Sequence, residues 1–130
     1  MQTQDARDGR TVEYFGARSG HEHRAVQAWQ VLVALAHNLQ TVTYERMSEI
    51  LHFGNARTVK HALDPIFRYC KENGLPPLTD LVLLKHDGIP GEGFVGEYPN
   101  FPKALAQVYN HDRYAVYPPT SGQFADLIGH

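Results

Sequence analysis

The chain has a single cysteine, Cys70, which excludes an intrachain disulfide framework and a zinc site built from several cysteines. It has no long hydrophobic run either. Its longest strongly apolar stretch, Val31 to Ala36, falls far short of the roughly 20 residues a membrane-spanning helix needs. The opening Met1-Gln2-Thr3-Gln4-Asp5 lacks the basic-then-apolar order of a secretory leader, so the expected location is the cytoplasm, with no membrane partner. An excess of charge is also missing. Twelve Lys and Arg against fourteen Asp and Glu leave a net charge of −2, whereas a domain that grips duplex DNA through long-range attraction is clearly basic. Any nucleic-acid face must therefore be local. The stretch from Thr41 to Glu72 carries five basic residues (Arg46, Arg57, Lys60, Arg68, Lys71) against four acidic ones. From Asp87 onward five acids face two bases, a surface that repels phosphate.

What is present is an ordinary globular mixture, 42% hydrophobic and 11% aromatic, in a 130-residue chain of one domain's length. Residues 1–20 are polar and glycine-bearing and read as a loosely ordered arm with a short strand at Thr11 to Phe15. Residues 21–130 read as a single domain. Ala25, Val26, Trp29, Leu32, Val33 and Ala36 recur at helical spacing and predict a helix from about His21 to Asn38, with Trp29 as a core anchor. A short extended segment at Thr41-Val42-Thr43 follows, and Thr43 is placed to cap a second helix buried through Tyr44, Met47, Ile50 and Leu51.

His52-Phe53-Gly54-Asn55 reads as the next turn, with Gly54 free to take positive φ and Asn55 as the cap of a third helix. Val59, Ala62 and Leu63 line that helix. Asp64-Pro65 predicts a restart, making Ile66 to Glu72 a separate or kinked piece closed by Asn73-Gly74. Pro76-Pro77 forces extension into a strand from Leu78 to Lys85, and Asp87-Gly88 turns it toward a return strand at Phe94-Val95. Asn100-Phe101-Pro102 starts a further helix lined by Phe101, Leu105, Val108 and Tyr109. His111 to His130 reads as an irregular tail. Helix, short helix, turn, helix and hairpin together predict an α+β fold: a winged helix-turn-helix with an N-terminal helix, a short β-hairpin wing and a C-terminal helix.

The segment Thr41-Val-Thr-Tyr-Glu-Arg-Met-Ser-Glu-Ile-Leu51, followed by Gly54-Asn-Ala-Arg-Thr-Val-Lys-His-Ala-Leu63, resembles the DNA-binding domain of O6-alkylguanine alkyltransferases and alkyltransferase-like proteins. Those proteins carry a Thr-Tyr-Gly-Glu-Leu-Ala type helix and an Ala-Arg-x-Val-Gly-x-Ala-Leu recognition helix. Asp87-Gly88 and Gly93-Phe94 look similar to their later turn. Leu75 to Thr79 and Gly88 to Phe94 also resemble segments of small bacterial and phage proteins of unknown function. The alkyltransferase resemblance implies that Arg57 fills the gap left by an extruded base and that Tyr44 meets the neighbouring phosphate. The resulting set of expected DNA contacts is Tyr44, Asn55, Arg57, Thr58, Lys60, His61 and Lys85, with double-stranded DNA as the partner and the 86–94 wing beside them. The family's Pro-Cys-His-Arg-Val motif has no counterpart, because Pro77-Leu78-Thr79-Asp80-Leu81 offers neither nucleophile nor histidine.

The same residues carry plainer readings. Arg57 serves equally as a solvated arginine paired with Glu45 or Glu49, Tyr44 as a core residue, and Cys70 as a buried structural thiol. Eight histidines invite a metal, yet His21-x-His23 point apart on a helix, and no His-Glu-x-x-His or calcium loop occurs, so no cofactor or metal is expected. Gly88 to Gly93 lacks the Lys-Ser/Thr of a phosphate loop and reads as wing geometry, with Glu92 as its one acid. No spacing of acids, His or Cys forms a catalytic set. The expectation is a non-enzymatic DNA-binding protein, with a protein-interaction module on the same scaffold as the alternative, favoured by the acidic balance and the aromatics Tyr109, Tyr114, Tyr117 and Phe124.

Overall fold

The structure, a computed structural model, describes residues 2–5, 11–16, 18–84, 88–91, 94 and 98–128. The apolar stripe of the first helix, α1 (His21–His37), runs through Ala25, Ala28, Trp29, Leu32, Val33 and Ala36, and all six are buried. A parallel pair of two-residue strands, β3 (Val42–Thr43) and β4 (Val82–Leu83), sits beside it, with Val42 opposite Val82 and Thr43 opposite Leu83. Thr43 also caps α2 (Tyr44–Leu51): its hydroxyl accepts from the Arg46 amide at 3.1 Å, as its residue type predicts. Asn55 likewise caps a 3-10 turn at Ala56–Thr58, its side chain accepting from the Thr58 amide at 3.2 Å, and that turn leads into α3 (Val59–Glu72). The later helices are α4 (Phe101–Asn110) and α5 (Ser121–Leu127). The fold is mixed α and β and mostly helical, and none of its described helices is long and apolar enough to cross a membrane.

Three helices end the same way. After α1, Leu39 at φ 57 donates to Ala36 O and Gln40 to Leu35 O; after α2, His52 at φ 56 donates to Glu49 O and Phe53 to Ser48 O. After α3 the same pair of bonds is made by Gly74, at φ 66, and Leu75. This is the Schellman closure, which suits glycine because a side chain in the left-handed region meets the following carbonyl. Gly54 does take positive φ as expected, at 83, but the residue that terminates α2 is His52.

Several expectations are corrected. The strand at Thr11 is present as β2 (Thr11–Tyr14), and it pairs antiparallel with β1 (Gln2–Asp5) in a hairpin the sequence reading missed. The helix does not break at Pro65. The Asp64 carboxylate lies 3.0 Å from Arg68 Nε rather than capping a restart, and Pro65, Ile66 and Cys70 are fully buried. A proline inside a helix costs about 3 kcal/mol. Burying two or more apolar side chains at roughly 1.5 to 3 kcal/mol each outweighs it. Leu78 to Lys85 is not one strand, because Leu78–Leu81 forms a 3-10 turn ahead of the extended Val82–Leu83, and Lys85 lies outside the described residues. In place of a return strand, the chain makes an isolated antiparallel bridge between Leu83 and Pro90, with Leu84 N donating to Ile89 O at 3.0 Å. Phe94 is not in a strand, and Val95 lies outside the described residues.

The tail is not irregular either. Thr120 and Gln123 form a capping box, each side chain accepting from the other's amide, and α5 follows. Its Phe124 is fully buried between Trp29 and Tyr69, with ring centroids at 6.3 and 5.9 Å. Trp29 and Tyr69 meet edge to face at 5.7 Å, so α1, α3 and α5 share an aromatic junction. Arg68 donates to Leu127 O at 3.1 Å, satisfying a carbonyl at the end of α5.

Candidate nucleic-acid interface

The geometry of the α2–α3 turn is set from behind by Arg24. This residue of α1 is 4% exposed. Its guanidinium donates to Leu51 O at 2.6 Å and to Gln27 Oε1 at 2.7 Å, and lies 4.1 Å from the Phe53 ring centroid. A cation at the carbonyl end of α2 is favoured by the helix dipole, and its planar group stacks on the aromatic face of the turn. Burial lowers its pKa from the ordinary arginine value. Arg24 thus ties α1 to the end of α2 and to the turn that launches α3.

In front of that turn, Tyr44 from the start of α2, Ala56 and Arg57 from the 3-10 turn, Lys60 and His61 from the start of α3, and Leu84 after β4 line one cavity of about 510 Å³. Its lining combines Arg57, Lys60 and the His61 imidazole with Ala56, Leu84 and Tyr44, and no acid lines it among the described residues. Glu49, a candidate neutraliser, is held instead by Arg46 at 2.9 Å. Arg57 is exposed and pairs with neither Glu45 nor Glu49. The Tyr44 ring is pressed from the other side by the 88–91 turn. A Cβ on Gly91 would stand 2.6 Å from Tyr44 Cε2 and 2.6 Å from the Val82 carbonyl oxygen. Only glycine allows that approach. Stacked parallel on His61, at 4.9 Å and 6°, is His21 from the start of α1.

Four of the residues expected from sequence, Tyr44, Arg57, Lys60 and His61, therefore meet at one concavity. Asn55 and Thr58 stand beside it with their side chains committed to backbone: Asn55 caps the Thr58 amide, and the Thr58 hydroxyl donates to Asn55 O at 3.0 Å. Lys85, the tip at 86–87 and Glu92 lie outside the described residues. The sequence reading missed Leu84, hidden in an apolar run read as plain strand, and His21, forty residues from its stacking partner.

Leu78, which the sequence resemblance sets against the family's cysteine, is fully buried. Cys70 is also fully buried, and burial pushes its thiol up. A thiol that is neither ionised nor accessible is a core residue, as expected. No group of three His, Cys, Asp or Glu placed to hold a metal occurs among the described residues. Comparison with protein-family models, with characterised proteins and with solved structures returned no match to this chain.

Proposed function

We propose that this protein is a non-enzymatic DNA-binding module of winged helix-turn-helix type, related to the alkyltransferase-like proteins. It meets duplex DNA through the start of α3, with the 86–94 segment as its wing. One observation carries the reading: Tyr44, Arg57, Lys60 and His61, drawn from α2, the 3-10 turn and α3, converge on a cavity that they share with the apolar Ala56 and Leu84. Arginine and lysine there neutralise phosphate, while the Tyr44 ring and Leu84 offer apolar surface to a base or sugar. The net charge of −2 confines attraction to this face. Binding is accordingly modest and local, and few phosphates are neutralised.

The test is a duplex titration of the wild type beside Arg57→Ala at about 50 and 200 mM salt. Affinity should fall with salt, and Arg57→Ala should weaken it by about tenfold at the lower salt. Absence of binding at low salt overturns the reading. The alternative, a protein-interaction module, draws on Tyr114 and Tyr117, which are 62% and 92% exposed. Aromatic side chains left this open are typical of docking surfaces. Retention of a protein partner by the wild type but not by Tyr117→Ala, with no DNA binding, would favour it.

A further inference from the structure

A duplex presents its charge spread out, with successive phosphates of one strand about 3.4 Å apart along the axis. A protein that lies along it meets those phosphates with cations spread over a comparable length. The basic residues of α1 to α3 are not placed that way. Arg24, like Arg113 later in the chain, is buried, at 4% exposed. Arg46 is held by Glu49 at 2.9 Å, and Arg68 by Asp64 at 3.0 Å. Lys71 stands about three turns further along α3 than Lys60.

The rest of the positive charge is gathered at one concavity. Arg57, Lys60 and His61 are exposed, and all three line the cavity of about 510 Å³ from which acids are absent among the described residues. Arg57 makes no ion pair among the described residues, and the His61 nitrogens have no hydrogen-bond partner there. The stack on His21, at 4.9 Å and 6°, occupies a face of the His61 ring and leaves its two in-plane nitrogens to a ligand. The volume falls in the range of roughly 300 to 1,000 Å³ that suits one small group. The side of a duplex is too broad to enter it.

We propose that this cavity receives the end of a DNA strand, its terminal phosphate taken by Arg57, Lys60 and the His61 imidazole. The inference rests on the DNA-binding reading above and narrows it from the side of the duplex to its ends. A phosphate monoester carries about −1.5 to −2 charge at pH 7 and three acceptor oxygens, more on both counts than a diester. Arginine and lysine in one place, with no acid beside them, match that concentration of charge, and charge-assisted hydrogen bonds are the strong ones. Tyr44, Ala56 and Leu84, which share the lining, offer surface to the terminal sugar and base. Holding one end takes few cations, in keeping with a net charge of −2.

The experiment uses the full chain and two blunt duplexes of about 20 base pairs, identical except for 5′-phosphate or 5′-hydroxyl ends, at about 100 mM salt. The phosphorylated duplex should bind about tenfold more tightly, with one protein molecule at each end whatever its length. Thymidine 5′-monophosphate should displace it, and thymidine should not. His61→Phe keeps a ring against His21 and deletes both nitrogens. Its Tm should match the wild type, and its preference for the phosphorylated end should shrink to about threefold or less. Equal affinity for the two duplexes, with more protein bound as length grows, would overturn the strand end and leave duplex binding standing. Binding of neither duplex would overturn both. Displacement by inorganic phosphate as effective as by thymidine 5′-monophosphate, tighter binding of a phosphoserine peptide, or an undiminished preference in folded His61→Phe would each overturn the strand end as well.

Discussion

Asp80 shows how one residue can hold stability in reserve. It is 5% exposed, beside the Cys70 thiol in the 3-10 turn before β4, and burial pushes its carboxyl up to about 6. An acid whose folded pKa is raised holds a proton in the native state that the unfolded chain has already released. Between about pH 4 and pH 6 the folded state therefore binds more protons, and stability falls as pH rises through that window. Asp80→Asn, which copies the neutral carboxyl, should be more stable than wild type at pH 7.5 by on the order of 1 to 2 kcal/mol. The advantage should vanish near pH 4. Urea unfolding at both pH values checks it, and an Asn variant less stable at pH 7.5 would show that the carboxylate is favourably held. The two buried arginines are the opposite case, since they stay ionised across this range and depend on geometry alone.

At the scale of elements, the 88–91 turn is the tightest joint of the candidate interface. Gly91→Ala would drive a Cβ against the Val82 carbonyl, a backbone atom that cannot rotate away. The turn or β4 must shift, with a loss of roughly 1 to 3 kcal/mol, and Tyr44 moves with it. Thermal unfolding together with a duplex titration should show lower stability and weaker DNA binding in the same variant. A variant with wild-type stability would mean the turn moves freely.

Elements also set how much the sequence disclosed. The helices with a strict apolar stripe and a polar cap, Ala25 to Ala36 and Thr43 to Leu51, were legible because period and cap are local signals. Pro65 misled because a local rule was overridden by burial on both sides of it. The run Leu78 to Leu83 could not announce its shape, since its polar Thr79 and Asp80 are buried along with its apolar residues and leave no period to read. The parallel pairing of β3 with β4 has no local signature at all. Thr120-x-x-Gln123 was a readable capping signature that went unused. Resemblance singled out Tyr44, Arg57, Lys60 and His61, which meet at one cavity, whereas Leu84 and His21 join them only through folding.

For the whole molecule, the two cavities lie toward opposite ends of α1. His21, at the start of α1, stacks on His61 beside the cationic cavity, while Val33, Ala36 and His37 border a second cavity, of about 250 Å³. Sixteen residues of helix at about 1.5 Å each separate His21 from His37, or roughly 24 Å. The aromatic junction of Trp29, Tyr69 and Phe124 belongs to the core between them.

The two-residue ladder of β3 and β4 also dictates an order of assembly. It joins backbone about forty residues apart and gains two residue pairs for closing that loop. The contact of α1 with α3, by comparison, buries side chains along several turns. Chain entropy makes the ladder one of the last contacts to form and one of the first to open. Amide exchange should therefore release Val82 and Leu83 by an opening smaller than global unfolding, while Leu32 and Ile66 exchange only with the whole domain. Exchange of all four at one common free energy would show a single cooperative unit. With early opening, Tyr44 and Leu84 part while the helical core persists, and the cavity they share exists only as long as the ladder's few hydrogen bonds.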